Sequence, residues 1–237
     1  MKRLLKGVLK AVLVLLGLLI AIFVVVYFVY NEKVPEGKNT QEADALAYKM
    51  LNAINEKAYQ DTRYLEWSFA GGNHRYTWDK EVGHVTIIWA QYKVLLSLNT
   101  PALSEVFESG AKVIGTEKTK LITTATDYFN NDSFWLVAPF KIFDEGTSRS
   151  LVTLDDGTQG LMITYNSGGT TPGDSYVWKL KENGMPTSYK MWVKIIPIGG
   201  LEATWDNWKT LENGVLLPTS HKIGPVSLSM GEVRAYN

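Results

Sequence analysis

From Ala11 to Tyr30 the chain runs for twenty positions without a charged residue. Twenty helical residues rise about 30 Å, roughly the thickness of a bilayer's hydrocarbon layer. The run has no polar face, which argues against a helix packed at the surface of a soluble core. Lys2, Arg3, Lys6 and Lys10 all lie on its N-terminal side, so the positive-inside rule keeps that end in the cytoplasm and sends the following residues across. Val24 to Tyr30 runs straight into Asn31-Glu32-Lys33 without the small residues of an A-x-A-like cleavage site, which reads as a retained signal anchor. Tyr27 and Tyr30 suit the outer aromatic belt. The expected organisation is a basic tip and transmembrane anchor over 1–30, a polar tether over 31–41 and an extracytoplasmic domain over 42–237. That describes a single-pass protein of the inner (cytoplasmic) membrane with its C-terminal domain in the periplasm.

Setting aside the four bases beside the anchor leaves 20 Lys+Arg against 24 Asp+Glu, a formal charge of −4 for the exported part. A phosphate-tracking surface needs clustered Lys and Arg, so nucleic acid is not an expected partner. The chain has no cysteine, which excludes disulfides, thiolate catalysis, iron–sulfur clusters and a lipidated Cys. About 205 residues after the anchor suffice for one substantial core.

Residues Ala43 to Tyr59 repeat apolar side chains at three- and four-residue steps, which predicts one amphipathic helix with Thr40 as a possible cap. The period then shortens. Tyr64–Phe69, His74–Asp79, Val85–Trp89 and Tyr92–Leu96 are short β-branched and aromatic runs separated by turns, an antiparallel meander. A helical interlude is expected over Pro101–Ser109 and Glu117–Asn130, stopped by Asn130-Asn131-Asp132. Strands resume at Phe134–Val137, Ser150–Leu154, Gly160–Tyr165, Ser175–Leu180, Ser188–Ile195, Ala203–Trp208, Val215–Ser220 and Val226–Ser229. Asp156-Gly157, Asn183-Gly184 and Asn213-Gly214 between them favour tight hairpins. The fold class is α+β: about eleven strands in one large curved antiparallel sheet, an incomplete barrel, closed by about three helices.

Tyr64-Leu65-Glu66-Trp67-Ser68-Phe69, His74-Arg75-Tyr76-Thr77-Trp78-Asp79 and Phe134-Trp135-Leu136-Val137-Ala138-Pro139-Phe140, taken with this order of elements, resemble uncharacterised bacterial envelope proteins of the LolA/LolB-like lipoprotein-carrier fold. The resemblance covers nearly all of residues 42–237. It implies a half-barrel over an apolar cavity for lipid or acyl chains. This chain departs from the family in its own membrane helix and in lacking a lipidated Cys, and no functional residue is carried over.

The eight Trp fall largely in expected strands, with Phe69, Tyr76, Tyr165, Tyr176 and Tyr189 near them. By strand parity Trp67 shares a face with Phe69, and Tyr76 with Trp78. The candidate cavity wall is Trp67, Phe69, Tyr76, Trp78, Trp89, Trp135, Tyr165, Trp178 and Trp192; each is also a candidate for plain core packing. Four catalytic or binding patterns are weaker. His74, Asp79 and His84 lack diagnostic metal spacing. Gly173-Asp174-Ser175 has the letters of a lipase nucleophile block, but late in the chain and in β surroundings. Asp155-Asp156 and Asp144-Glu145 sit in polar turns, and Asp206 beside Trp205 suggests a sugar site. No Gly-rich phosphate loop precedes a helix, so neither metal nor cofactor is expected.

The leading expectation is therefore a non-enzymatic binding protein for a lipid, lipoprotein acyl chain or other apolar ligand, held to the membrane through residues 11–30. The alternative is an envelope scaffold with a filled sheet, and a lesser one is a hydrolase or carbohydrate-binding domain. Nothing in the sequence specifies a protein partner.

Overall fold

A computed structural model describes residues 2–168 and 171–237. Helix α1 (Lys2–Tyr30) stands clear of the rest; its stretch Lys6–Tyr30 is long and apolar enough to cross a membrane. The expected single helix at 43–59 is two: α2 (Gln41–Ala53) and α3 (Glu56–Asp61). Asn55 between them is left-handed at φ 58°, a conformation Asn tolerates. Its side chain caps α3 and donates to the Gly214 carbonyl at 2.9 Å. Thr40 precedes α2 without capping it through its side chain.

A first meander follows: β1 (Tyr64–Phe69), β2 (His74–Asp79), β3 (His84–Trp89), β4 (Tyr92–Ser97), β5 (Glu105–Glu108) and β6 (Ala111–Lys112). Residues 101–109 thus form a short 3-10 turn and a strand, not the expected helix, because Val94 and Leu95 pair with Val106 and Glu105 across β4 and β5. Next, α4 (Gly115–Val137) carries the chain away, over about 34 Å at helical rise. It runs through Asn130-Asn131-Asp132 and takes in Phe134–Val137, both contrary to expectation. Leu121, Ala125, Phe129, Ser133 and Leu136 make one continuous buried stripe, so packing overrides the local preferences of Asn and Asp. Pro139 then ends the regular helix.

The second meander is β7 (Thr147–Thr153), β8 (Gln159–Tyr165), β9 (Asp174–Leu180), β10 (Pro186–Trp192) and β11 (Leu201–Thr204), with the expected tight turns at Gly157 between β7 and β8 and at Gly184 between β9 and β10. A small pair, β12 (Lys209–Thr210) with β13 (Leu216–Leu217), interrupts before β14 (Ser220–Ile223), β15 (Val226–Ser229) and β16 (Arg234–Tyr236). Strand β16 returns to the free edge of β1. The described residues therefore form two seven-stranded antiparallel sheets, β16-β1-β2-β3-β4-β5-β6 and β15-β14-β11-β10-β9-β8-β7. This corrects the single large sheet. The sheets are not closed into a barrel; they adjoin where the Ser68 amide donates to the Met230 carbonyl at 3.0 Å.

One main core lies between the sheets, with Leu65, Ile87, Leu136, Leu161, Trp178 and Trp205 fully enclosed, each contributing on the order of 2 kcal/mol by burial. The second sheet is covered on its other face too. Val152, Met162 and Val177 form a small cluster there with Leu154 and Trp192, and residues 32–38 lie over it. Lys38 pairs with Leu151 through two backbone hydrogen bonds of 2.9 Å, and a side chain at Gly37 would run into Ser150 and Met162.

Candidate functional site

Successive strands of an antiparallel sheet place alternate residues on one face. On the inner face of the second sheet this aligns Tyr165 of β8, Tyr176 of β9, and Tyr189 and Met191 of β10. The last turns of α4 lie opposite. The Phe134 ring lies tilted at 4.9 Å from Tyr176 and edge-on at 5.5 Å from Tyr165, and Trp135 lies tilted at 5.8 Å from Tyr189. These side chains do not fill the space between helix and sheet. A cavity of about 510 Å³ remains, closed on one side by Trp78 and Leu98 of the first meander and on another by Val193, Ile195 and Ile196 after β10. Asp127, Lys141, Asp144 and Glu145 supply charge to its lining. Its volume and mostly apolar lining suit a small-molecule site.

Two donors on this wall are buried without a hydrogen-bond partner among the described residues: Tyr165 Oη and Trp78 Nε1. Burial pushes the phenols of Tyr165, Tyr176 and Tyr189 well up from their ordinary value, so they stay neutral and able to donate. An unmade bond of this kind costs about 1–3 kcal/mol. Both atoms are covered by neighbouring protein atoms and do not open onto the cavity; the site is thus a largely apolar space with charge in its lining, an arrangement that can take an apolar molecule.

The nine candidates separate. Trp78, Trp135 and Tyr165 line the cavity. Trp135 does so from α4, not from a strand. Trp67, Phe69, Tyr76, Trp89 and Trp178 are buried in the main core; Trp67 lies flat on Tyr76 at 4.5 Å. Trp192 points to the opposite face, where its Nε1 donates to the Glu32 carbonyl at 2.9 Å. Phe134, Tyr176 and Tyr189 line the cavity but were not among the candidates. Parity with Tyr165 and Met191 could have marked the two tyrosines; Phe134 was hidden by its assignment to a strand.

The polar patterns resolve into structural pairs. His74 Nδ1 lies 2.7 Å from Asp132 Oδ2, the same oxygen accepts from Tyr76 Oη at 2.6 Å, and Asn131 Nδ2 donates to Oδ1 at 2.8 Å. This buried knot ties α4 to β2. Asp79 pairs instead with Arg63 at 2.9 Å, and no group of three metal-binding side chains occurs among the described residues. Ser175 bonds Thr164 at 2.8 Å on the outer face of the sheet, while His221 is buried with Nδ1 at 2.9 Å from the Thr204 carbonyl. Asp156 closes a turn by accepting from the Thr158 amide at 2.9 Å. Asp144 pairs with Lys141. Trp205 is enclosed in the core, which removes it as a sugar platform.

No family model and no curated protein matches the chain. Among solved structures, the crystal structure of a DUF1329 family protein from Desulfovibrio piger is distantly similar, with 11% identity and a TM-score of 0.41 over 84% of this chain and 93% of that chain.

Proposed function

We propose that this protein is a membrane-anchored extracytoplasmic binding protein for a lipid, a lipoprotein acyl chain or another apolar ligand, held in the cavity between α4 and the second sheet. One observation carries the reading: a cavity of about 510 Å³ is walled by Trp78, Phe134, Trp135, Tyr165, Tyr176 and Tyr189. A scaffold with a filled sheet predicts no such space. Each buried methylene contributes about 0.8 kcal/mol, so ten would supply about 8 kcal/mol, near micromolar affinity before ordering costs. In this reading residues 11–30 span the inner membrane with the basic tip in the cytoplasm, and the anchor holds the cavity beside its source of ligand.

The test is native mass spectrometry of the full chain, released from bacterial membranes in mild detergent, with lipid extraction of the same sample. A stoichiometric lipid adduct supports the reading and identifies the cargo. A clean apo mass that also fails to take up added phospholipid or palmitate overturns it in favour of the scaffold.

A further inference from the structure

The chain leaving α1 is fastened at once to the loop that edges the cavity. Asn31 Oδ1 accepts from the Gly199 amide at 2.8 Å, and the Glu32 amide donates to the Gly199 carbonyl at 2.9 Å. Lys190 Nζ bonds the Glu32 carboxylate at 2.7 Å, beside the bond from Trp192 already described. The contact is close enough to require glycine: a Cβ at Gly199 would meet the Glu32 carbonyl oxygen at 2.6 Å, and Gly200 has φ 81°. The six residues before Gly199 are Val193-Lys194-Ile195-Ile196-Pro197-Ile198. Ile195 is 70% exposed, yet Val193, Ile195 and Ile196 also line the cavity.

Where α1 spans a bilayer, these contacts limit how far the edge of the cavity can lie from it. If Tyr30 ends the span, Asn31 and the Gly199 bonded to it lie in the headgroup layer, which is about 6 Å deep on each side. Ile195 to Ile198 then begins next to that layer and reaches no more than about 14 Å from it. An exposed isoleucine there has an apolar neighbour available in the outer leaflet.

We propose that residues 193–198 form a membrane-dipping lip and that the cavity opens over this lip toward the outer leaflet, so that ligand passes between bilayer and cavity without crossing water. The occupant of the exposed face is the bilayer that the chain's own helix spans. The lip rests on the anchor and cavity readings above, but its test needs no bound ligand.

The absence of native cysteine allows single-site labelling. Full-length Val25→Cys, Ile195→Cys and Ile114→Cys proteins are labelled with an environment-sensitive NBD fluorophore and reconstituted in vesicles of phosphatidylethanolamine and phosphatidylglycerol containing shallow nitroxide lipids. Val25 is 61% exposed within α1, and Ile114 is 77% exposed just before α4, about 30 Å of helix away from Phe134 at the cavity. Quenching at 25 and 195 but not at 114 supports the lip. Quenching at 25 alone overturns it and leaves the anchor standing. No quenching at 25 or 195 overturns both, and equal quenching at 114 and 195 overturns a contact specific to the lip. Lipid occupancy by mass spectrometry reports separately on the cavity reading, so failure of the lip and failure of ligand binding are distinguishable.

Discussion

Replacing Tyr165 with Phe removes one oxygen and little else, which separates packing from recognition. In the free protein Tyr165 Oη is buried with no partner among the described residues. Its removal relieves an unmade hydrogen bond that costs about 1–3 kcal/mol. The ring keeps its contacts with Phe134 and Tyr176 at 5.5 and 5.8 Å, so the free variant should be as stable as wild type or more stable by about 1 kcal/mol. A ligand oxygen that reaches this hydroxyl by displacing the side chains that cover it loses that bond in the variant, worth about 1 kcal/mol, and affinity falls about fivefold. Stability and binding thus move in opposite directions, which a purely structural tyrosine would not produce. The first is read from urea unfolding of the delipidated protein in micelles by tryptophan fluorescence. The second is read by titration with a dansylated fatty acid. Tyr76→Phe is the contrast: its hydroxyl bonds the Asp132 carboxylate at 2.6 Å, so its loss should cost about 1.5–3 kcal/mol. A Tyr165→Phe protein destabilised by 1 kcal/mol or more would refute the reasoning, as would unchanged affinity for every acyl probe that binds wild type.

Asp132→Ala should be more damaging than either, by about 3–5 kcal/mol, because it strands His74 and Tyr76 at the junction of α4 and β2; a urea midpoint close to wild type would show that the knot does not hold the helix. Burial lowers the His221 pKa below 6.5, against weaker opposing pulls from neighbouring carbonyls and Asp206. A depressed folded pKa means that this contribution to stability is whole above about pH 6.5 and is lost as pH falls from there through the folded value. Melting temperatures at pH 7.5 and 5.5 should therefore differ more for wild type than for His221→Gln, and equal differences would assign the acid sensitivity elsewhere. Gly199→Val should push the Glu32 segment off β10, since its Cβ would meet Trp192 Cδ1 at 2.5 Å. The expected cost is about 1–3 kcal/mol, with new protease cleavage between 32 and 38, and unchanged protection there would contradict the strap.

What could be read from the sequence was what the chain encodes locally. The runs at 64–69 and 74–79 alternate so regularly, and the turns at Gly157 and Gly184 are so explicit, that the strands around them emerge within about three residues. The apolar stretch before Tyr30 is equally plain. What failed was set by distant partners. Residues 130–132 stop a helix by local preference, yet Asp132 is held inside α4 by two side chains from β2. That one misreading turned Phe134 and Trp135 into strand residues and left Phe134 out of the candidate wall. Strand β16 escaped notice because Arg234-Ala235-Tyr236 is three residues long and is stabilised only by pairing with β1, 170 positions earlier. For the aromatic candidates, parity identified faces but not which face meets a helix and which meets a void. Trp178 and Tyr176 share a face of β9, yet the first is enclosed by Tyr189 and Trp205 at about 5 Å and the second borders empty space.

The second sheet joins these results because its two faces do different work. Its inner face lines the cavity through Tyr165, Tyr176 and Tyr189. Its outer face binds the segment that leaves α1 through Trp192 and Lys190, and its β7 edge does so through the backbone of Leu151. An eleven-residue tether could in principle hold a domain up to about 37 Å away from its anchor, and a carrier on such a leash could turn freely. Here the leash is consumed within its first two residues. Strand β10 contributes Tyr189 and Met191 to the cavity and Lys190 and Trp192 to the contact with residue 32, so one strand connects the end of α1 to the cavity wall by alternation alone. Rotation of the cavity relative to α1 would break the bonds at Asn31, Glu32 and Lys190 together. Under the proposed function, the arrangement therefore favours a cavity held at one orientation to the bilayer over a domain that swings between membranes.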